Sequence, residues 1–197
     1  NNAVYFLRLI QPDASEKIKE YLGIIESEVG TADKIINDLL HFGREKKLDI
    51  EPTTVSRIID ETMKRFPPPA GIEVELKFSD TLPVIRIDRQ QMVQVLGNLL
   101  VNAYQAMQKG GTINLAAQHR DNWITISVQD AGTGISPENM SRLFEPLFTT
   151  KPRGIGLGLS VSKKLTEANQ GRIEVESEIG RGTKFSIYLP VSSEDGT

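Results

Sequence analysis

The stretch QQMVQVLGNLLVNAYQAMQKGG, residues 90–111, predicts a helix that is apolar over most of its surface and is followed by two glycines. Asn98, Asn102 and Gln105 follow one another at steps of four and three, so they share one stripe of this helix. Asparagine is a weak helix former, and two of them among bulky aliphatic side chains favour a role as oxygen ligands, for example of Mg²⁺. On these residues alone, a solvated helix face remains the alternative.

The segments around this helix predict a mixed sheet, because apolar and polar residues alternate in several short runs. In the first run, the residues expected on the half-buried face are Ile72, Val74, Leu76 and Phe78. One strand is predicted at about 72–78, hairpin-like pairs of strands at about 112–130 and 172–189, and two further helices at about 54–65 and 159–169. We therefore expect residues 48–197 to form an α/β (α+β) sandwich, with one mixed sheet under three helices.

Residues 1–47 predict an α-helical hairpin. From Ile18 to Leu39, apolar residues recur at alternating steps of four and three, which is the 3.5-residue repeat of a helix seam. Two helices make a poor core by themselves. We therefore expect the hairpin to form a homodimer as a four-helix bundle.

Composition narrows the function classes. The net charge is −3 and the pI is about 5.5, which predicts no nucleic acid partner and no attraction to an anionic membrane. The chain has no cysteine, so disulfides, thiolate nucleophiles and Cys-ligated zinc are excluded. No apolar run reaches the length of a membrane span. We expect a cytoplasmic location with no membrane contact within these residues, whether or not the parent protein is anchored.

The segment WITISVQDAGTGI, residues 123–135, places a carboxylate where it is costly. Strand alternation puts Asp130 on the same side as the apolar residues, so it needs hydrogen-bond donors. The exocyclic amine of adenine is a suitable donor, and Gly132 and Gly134 would let the backbone approach a flat base. The alternative is a carboxylate that caps a turn.

The segment KPRGIGLGLSVSKKLTEANQG, residues 151–171, places three glycines before a helix that is expected to start near Leu159. Backbone N–H groups at a helix N-terminus bind anions, which predicts a phosphate site, although a flexible loop is the alternative. The glycines are Gly154, Gly156 and Gly158. Residues just upstream offer hydroxyls and charge that reach phosphates, or they are simply solvated: Thr149, Thr150, Lys151 and Arg153. Gly180 and Gly182 predict a hairpin turn.

Five segments occur in an order that resembles the N, G1, F, G2 and G3 boxes of histidine kinase catalytic domains, which have the Bergerat ATP-binding fold. They are NLLVNAYQAM (98–107), DAGTGI (130–135), LFEPLFTTK (143–151), GIGLGL (154–159) and GRGTKF (180–185). The resemblance covers about residues 48–190. It implies ATP and Mg²⁺ as cofactors, with Asn102 as the metal ligand, Asn98 as its support and Asp130 as the acceptor of the adenine amine.

The same resemblance implies further contacts to the nucleotide and a mobile lid at residues 136–157. The additional contacts implied lie at Gln105, Ile135, Leu157, Leu159 and Thr183 and at the glycines, hydroxyls and cations named above. Related gyrase, chaperone and mismatch-repair ATPases carry a glutamate that activates water at the position of Asn98. Because an amide is no general base at neutral pH, we expect ATP to be held for phosphoryl transfer rather than hydrolysed.

The resemblance therefore implies transfer of the γ-phosphoryl group to a histidine, for relay to an Asp in the receiver domain of a response regulator. An ATP-gated interaction module and a Bergerat-type ATPase or serine kinase remain the alternatives. In such kinases the acceptor His is followed closely by Asn-Pro or Thr-Pro, and neither His41 nor His119 has this surrounding. We expect the first hairpin helix to be truncated, the acceptor to be absent, and this chain alone to be unable to autophosphorylate.

Overall fold

The structure is a computed structural model that describes residues 2–11, 14–43, 47–78, 81–151 and 154–191, with the backbone alone at 2, 3 and 31–43. The chain divides into two compact units, Asn1–Lys46 and Lys47–Thr197. Across the described ranges, no helix combines the length and apolar character that a membrane crossing requires.

The first unit contains two helices, α1 (Asn2–Ile10) and α2 (Glu16–Gly43). Val4 and Leu22 are buried, and Arg8 Nη2 lies 3.0 Å from Glu26 Oε2, which ties the helices together. The predicted seam is only partly covered, because Ile18 and Ile25 are 44% and 49% exposed. The side chains of Ala32, Ile36 and Leu39, which continue the predicted seam, lie outside the described residues. The four-helix bundle therefore stays a prediction.

The second unit holds the mixed sheet and its helices. Its elements in chain order are β1 (Ile50–Thr53), α3 (Val55–Arg65), β2 (Ile72–Lys77), β3 (Ile85–Asp88), α4 (Arg89–Ala106), β4 (Gly111–Arg120), β5 (Trp123–Gln129), α5 (Pro137–Met140), α6 (Gly158–Ala168), β6 (Arg172–Glu178) and β7 (Gly182–Pro190). Five strands form one sheet in the order β2-β4-β5-β7-β6. The pair β2-β4 is parallel and the other pairs are antiparallel, which confirms the predicted mixed sheet.

Two details of the sheet differ from expectation. Leu76, expected on a half-buried face, is 47% exposed, because it lies near the end of β2, which is an edge strand. A separate antiparallel ladder, which the sequence pattern does not predict, joins β1 to β3. Each of these strands has only four residues, and Pro52 interrupts the first, so neither shows a clear alternation.

Helix α4 is the centre of the core. It is buried on most of its circumference and packs against α3 and α6 and against the sheet, whose core face carries alternate residues of β4, β5 and β7. Asp88 caps its N-terminus by accepting a hydrogen bond from Gln91 N at 3.1 Å. Gly97 has no side chain where the ring of Phe66 packs, so a Cβ there would overlap the ring. Helices α3, α4 and α6 are the three that the sequence predicts.

Candidate functional site

Asp130 immediately follows β5, and its side chain is 6% exposed, as the strand register predicts. Its Oδ1 accepts hydrogen bonds from Gly132 N at 2.8 Å and from Thr183 N at 3.3 Å. Burial raises the pKa of the carboxyl group, while these two amides and the charge of Lys151 act in the opposite direction. Among the described residues, both amide hydrogen bonds to this carboxylate end on Oδ1, which leaves Oδ2 for another donor.

The loop after Asp130 is held by close packing on both sides. A Cβ on Gly132 would overlap Ala106 at the end of α4, and a Cβ on Gly134 would overlap the carbonyl of Glu178. Gly134 also has a φ of 69°, in the left-handed region that favours glycine. Both glycines are therefore required by the packing of this loop, whatever it binds.

Ser177, which no sequence motif singles out, fixes the same loop. Its Oγ accepts a hydrogen bond from Ile135 N at 2.9 Å and donates to Gly182 O at 2.9 Å. The same oxygen lies 2.9 Å from Thr183 Oγ1. A lone serine in an alternating strand carries no signal of such a role, because the contact joins segments that are 42 residues apart.

Asn98 joins α4 to the start of α6. It is 9% exposed, and its Nδ2 lies 3.3 Å from Gly158 O and 3.4 Å from Ser162 Oγ, which it faces as a donor. Ser162 in turn donates to Gly158 O at 2.8 Å. The amide nitrogen of Asn98 is thus used for positioning α6.

Asn102 and Gln105 lie on the part of the stripe that is closer to solvent and share one cation. Lys151 Nζ is 2.9 Å from Asn102 Oδ1 and 2.5 Å from Gln105 Oε1. The backbone of Lys151 belongs to a tight turn, in which Lys151 N donates to Thr149 Oγ1 at 3.1 Å and Gly154 N donates to Lys151 O at 3.0 Å. Thr150 is exposed in this turn, and Arg153 lies outside the described residues.

The predicted glycine segment leads into α6. Gly156 has a φ of 74° and its carbonyl accepts a hydrogen bond from Leu147 N at 3.1 Å. Leu157 is 2% exposed and Leu159 packs against the core, so their side chains support the fold. Leu157 precedes α6 and has no polar side chain that could cap its first amides, which keeps them available for an anion.

The arrangement suits a ligand that donates hydrogen bonds at one end and is anionic at the other. Asp130 supplies an acceptor, while the start of α6 and Lys151 supply donors and positive charge. These residues fit a magnesium ion only in part. Asn102 Oδ1 is a hard oxygen of the kind that Mg²⁺ prefers, but it already accepts a hydrogen bond from the ammonium of Lys151. No cluster of three acidic, histidine or cysteine side chains occurs in the part of the chain that the structure describes. Phosphate oxygens would have to complete the coordination.

Of the two histidines in the sequence, His119 lies away from this arrangement. His119 is exposed on β4 and is paired with Ile124, at the opposite end of β5 from Asp130. His41 lies in α2, and its side chain is outside the described residues.

A family model and individual known proteins match this chain, and they point to the same family. A family model described as "Histidine kinase-, DNA gyrase B-, and HSP90-like ATPase" matches residues 87–193. The chain is 32% identical over 195 residues to the signal transduction histidine-protein kinase AtoS of Escherichia coli (strain K12), covering 96% of this chain and 32% of that protein. It is 35% identical over 190 residues to sporulation kinase E of Bacillus subtilis (strain 168), covering 94% and 26%. The chain thus spans a third or less of the length of these relatives.

Solved structures agree with this similarity. The crystal structure of full-length ShkA in complex with AMPPNP matches with a TM-score of 0.79 and 27% identity, over 96% of this chain and 42% of that one. The catalytic domain of the histidine kinase ThkA matches with a TM-score of 0.66 and 28% identity, over 72% of this chain and 95% of that domain.

Proposed function

Since the chain belongs to the family of histidine kinase-, DNA gyrase B- and HSP90-like ATPases, we propose that it is the ATP-binding catalytic part of a protein-histidine kinase. The observation that carries this proposal is that α4 brings three groups together. The loop after Asp130 packs through Gly132 against Ala106 at the end of α4. Lys151 contacts the side-chain oxygens of Asn102 and Gln105 on α4, and Asn98 joins the same helix to the start of α6. A carboxylate for a base and a cationic, amide-rich end for phosphates are the two features that an adenine nucleotide requires.

Asp130 is the proposed acceptor of the adenine amine. Its Oδ1 is held by the amides of Gly132 and Thr183, so the direction of Oδ2 is fixed before a ligand arrives. Preorganised acceptors bind without a large loss of side-chain entropy. Gly132 and Gly134 form the wall beside it, with Ile135 and Thr183 as neighbours.

The phosphates would lie between α4 and α6. The N–H groups at the start of α6, from Gly158 onward, and the hydroxyls and ammonium of the turn at 149–151 would hold the anionic oxygens. Asn102 would ligate Mg²⁺ together with phosphate oxygens, and the ion would neutralise charge on the transferring phosphoryl group.

Transfer, rather than hydrolysis, is favoured by the residue at position 98. An amide cannot take a proton from water at neutral pH, and the nitrogen of Asn98 is directed at Gly158 O and Ser162 Oγ. The γ-phosphoryl group would then await a histidine nucleophile, and an Asp of a receiver domain would accept it next. The name of each relative given above includes the word kinase.

A homodimer through α1 and α2 is also part of the proposal. These helices expose apolar side chains in the first unit: Tyr5, Phe6, Leu7, Leu9, Ile10, Ile18, Tyr21, Ile24 and Ile25. Such a surface favours association with a second copy. Sedimentation equilibrium tests this part, and a monomer at concentrations of about 100 μM would contradict it, since useful dimers have dissociation constants below that range.

Binding and turnover test the central proposal. Titration calorimetry with AMPPNP and Mg²⁺ should give saturable binding, and Asn102→Ala should weaken the Mg²⁺-dependent part about tenfold or more, as expected for loss of a metal ligand. Asn114→Ala is the control, because Asn114 lies on β4 and accepts an exposed hydrogen bond from Lys77 of β2 rather than contacting α4. ATP turnover on the order of 1 s⁻¹ or faster would contradict the kinase assignment and favour a hydrolytic ATPase.

A further inference from the structure

The ammonium of Lys151 contacts Asn102 Oδ1, the oxygen that the proposed function assigns to the metal ion. Its Nζ contacts Asn102 Oδ1 at 2.9 Å and Gln105 Oε1 at 2.5 Å, so the ammonium lies between two amide oxygens on successive turns of α4. Its backbone is fixed in the turn that Thr149 and Gly154 form. Lys151 therefore links the segment 143–151 to α4 by a charge-assisted contact.

An ammonium and a divalent ion would each weaken the other's contact with this oxygen. Mg²⁺ requires a ligand at about 2.0–2.1 Å, and two cations on one amide oxygen would lie within about 4–5 Å of each other and repel. The single amide oxygen of Asn102 can therefore serve only one of them at full strength. Gln105 lies one turn after Asn102 and is more exposed. It accepts a hydrogen bond from the ammonium but is not the proposed metal ligand.

We propose that Lys151 and the divalent ion compete for Asn102 Oδ1. The hydrogen bond from Lys151 to Gln105 then sets the Mg²⁺ concentration at which the chain binds nucleotide. The inference rests on the proposed function, since it needs Asn102 to be the metal ligand. Gln105 then acts as a positioning residue for the competing cation. Once displaced from Asn102, the ammonium of Lys151 would face the phosphate oxygens.

Hydrogen exchange in the protein without nucleotide tests the link between Lys151 and α4. In segment 143–151 the Leu147 amide is bonded to Gly156 O, and its exchange reports local opening. Gln105→Met and Lys151→Met should each speed exchange of this segment about three- to tenfold, as loss of one charge-assisted contact at a solvated site implies. The double variant should exchange no faster than Lys151→Met. Lys77→Met is a matched control, since it also removes a lysine contact with an amide oxygen. Lys77 Nζ lies 2.8 Å from Asn114 Oδ1, and this contact joins β2 to β4 rather than segment 143–151 to α4.

The Mg²⁺ dependence of AMPPNP binding tests the competition. Gln105→Met should lower the half-saturating Mg²⁺ concentration about three- to tenfold, because the competing cation is held less firmly. In the Lys151→Met background the same substitution should have no effect. An unchanged Mg²⁺ requirement in Gln105→Met, or an equal shift in both backgrounds, overturns the competition while leaving the proposed function intact. Absence of AMPPNP binding by the unmodified chain at every Mg²⁺ concentration overturns the proposed function, and the hydrogen-exchange result is independent of it.

Discussion

Replacement of Asp130 by Asn separates the role of this residue in ligand binding from its role in the fold. The substitution keeps an Oδ1 that can accept the hydrogen bonds from Gly132 N and Thr183 N, at 2.8 and 3.3 Å in this structure. It turns Oδ2, the proposed acceptor of the adenine amine, into an NH₂ donor. A charge-assisted hydrogen bond is worth about 1.5–3 kcal/mol, so ATP should bind about 10- to 100-fold more weakly.

The stability of the variant should move in the other direction or stay level. Burial raises the pKa of Asp130 in the folded chain. A carboxyl group with a raised folded-state pKa contributes stability that is fully present below its unfolded-state pKa and is lost as the pH rises through the folded-state pKa. At pH 7 the ionised group therefore costs stability, and the neutral amide introduced by Asp130→Asn would remove that cost. The variant should melt at a temperature no lower than that of the unmodified chain.

Base selectivity provides the decisive measurement. Inosine triphosphate carries an acceptor oxygen where ATP carries its amine, so the new NH₂ group should favour it. Titration calorimetry of both nucleotides should show the preference for ATP shrinking or inverting in Asp130→Asn, with Asp121→Asn, an exposed turn position, as the control for the charge change. Unchanged affinity and selectivity, together with a lower melting temperature, would mean that Asp130 only caps the turn.

Two further predictions concern pH and packing. AMPPNP affinity of the unmodified chain should fall as the pH drops through the raised pKa of Asp130, because a proton on Oδ2 turns the proposed acceptor into a donor. Asp130→Asn should show a shallower decline by calorimetry, and parallel curves would contradict this. Gly97→Ala should destabilise the fold in urea unfolding, because a Cβ there overlaps the Phe66 ring. The overpacking cost of about 1–3 kcal/mol outweighs the helix-propensity gain of at most about 1 kcal/mol. Adding Phe66→Leu should recover most of the loss, and a stabilised single variant would show that the ring moves aside freely.

The sequence predicts the parts of this molecule that depend on local periodicity. The alternation Ile124, Ile126, Val128 places Asp130 on the buried side, and the apolar run around Asn98 identifies the central helix. The β1-β3 ladder was not predicted, because each of its strands has only four residues and Pro52 interrupts the first. The exposure of Leu76 was not predicted either, because it depends on which strands lie at an edge. Edge position is a property of the assembled sheet, and no run of four or six residues contains it.

In the candidate site too, the features that depend on local sequence were predicted, and the contacts that depend on the assembled fold were not. Residue types at 98, 102 and 130 suggest an ATP pocket, while Ser177 and the contact of Lys151 with Gln105 depend on segments brought together from distant positions. The distance in sequence between Lys151 and Gln105 is 46 residues. The turn at 149–154 has no periodic pattern from which its approach to α4 could be inferred.

The position of β7 between β5 and β6 affects when, during synthesis, the proposed nucleotide site can form. Strand β7 follows every other strand of the sheet along the chain, yet β5 and β6 have no partner on that side until it inserts. Thr183, which holds Asp130, arrives with it. A nascent chain could form α3, α4 and the β4-β5 hairpin early, but Asp130, the proposed base-binding carboxylate, would remain unpositioned until β7 leaves the ribosome.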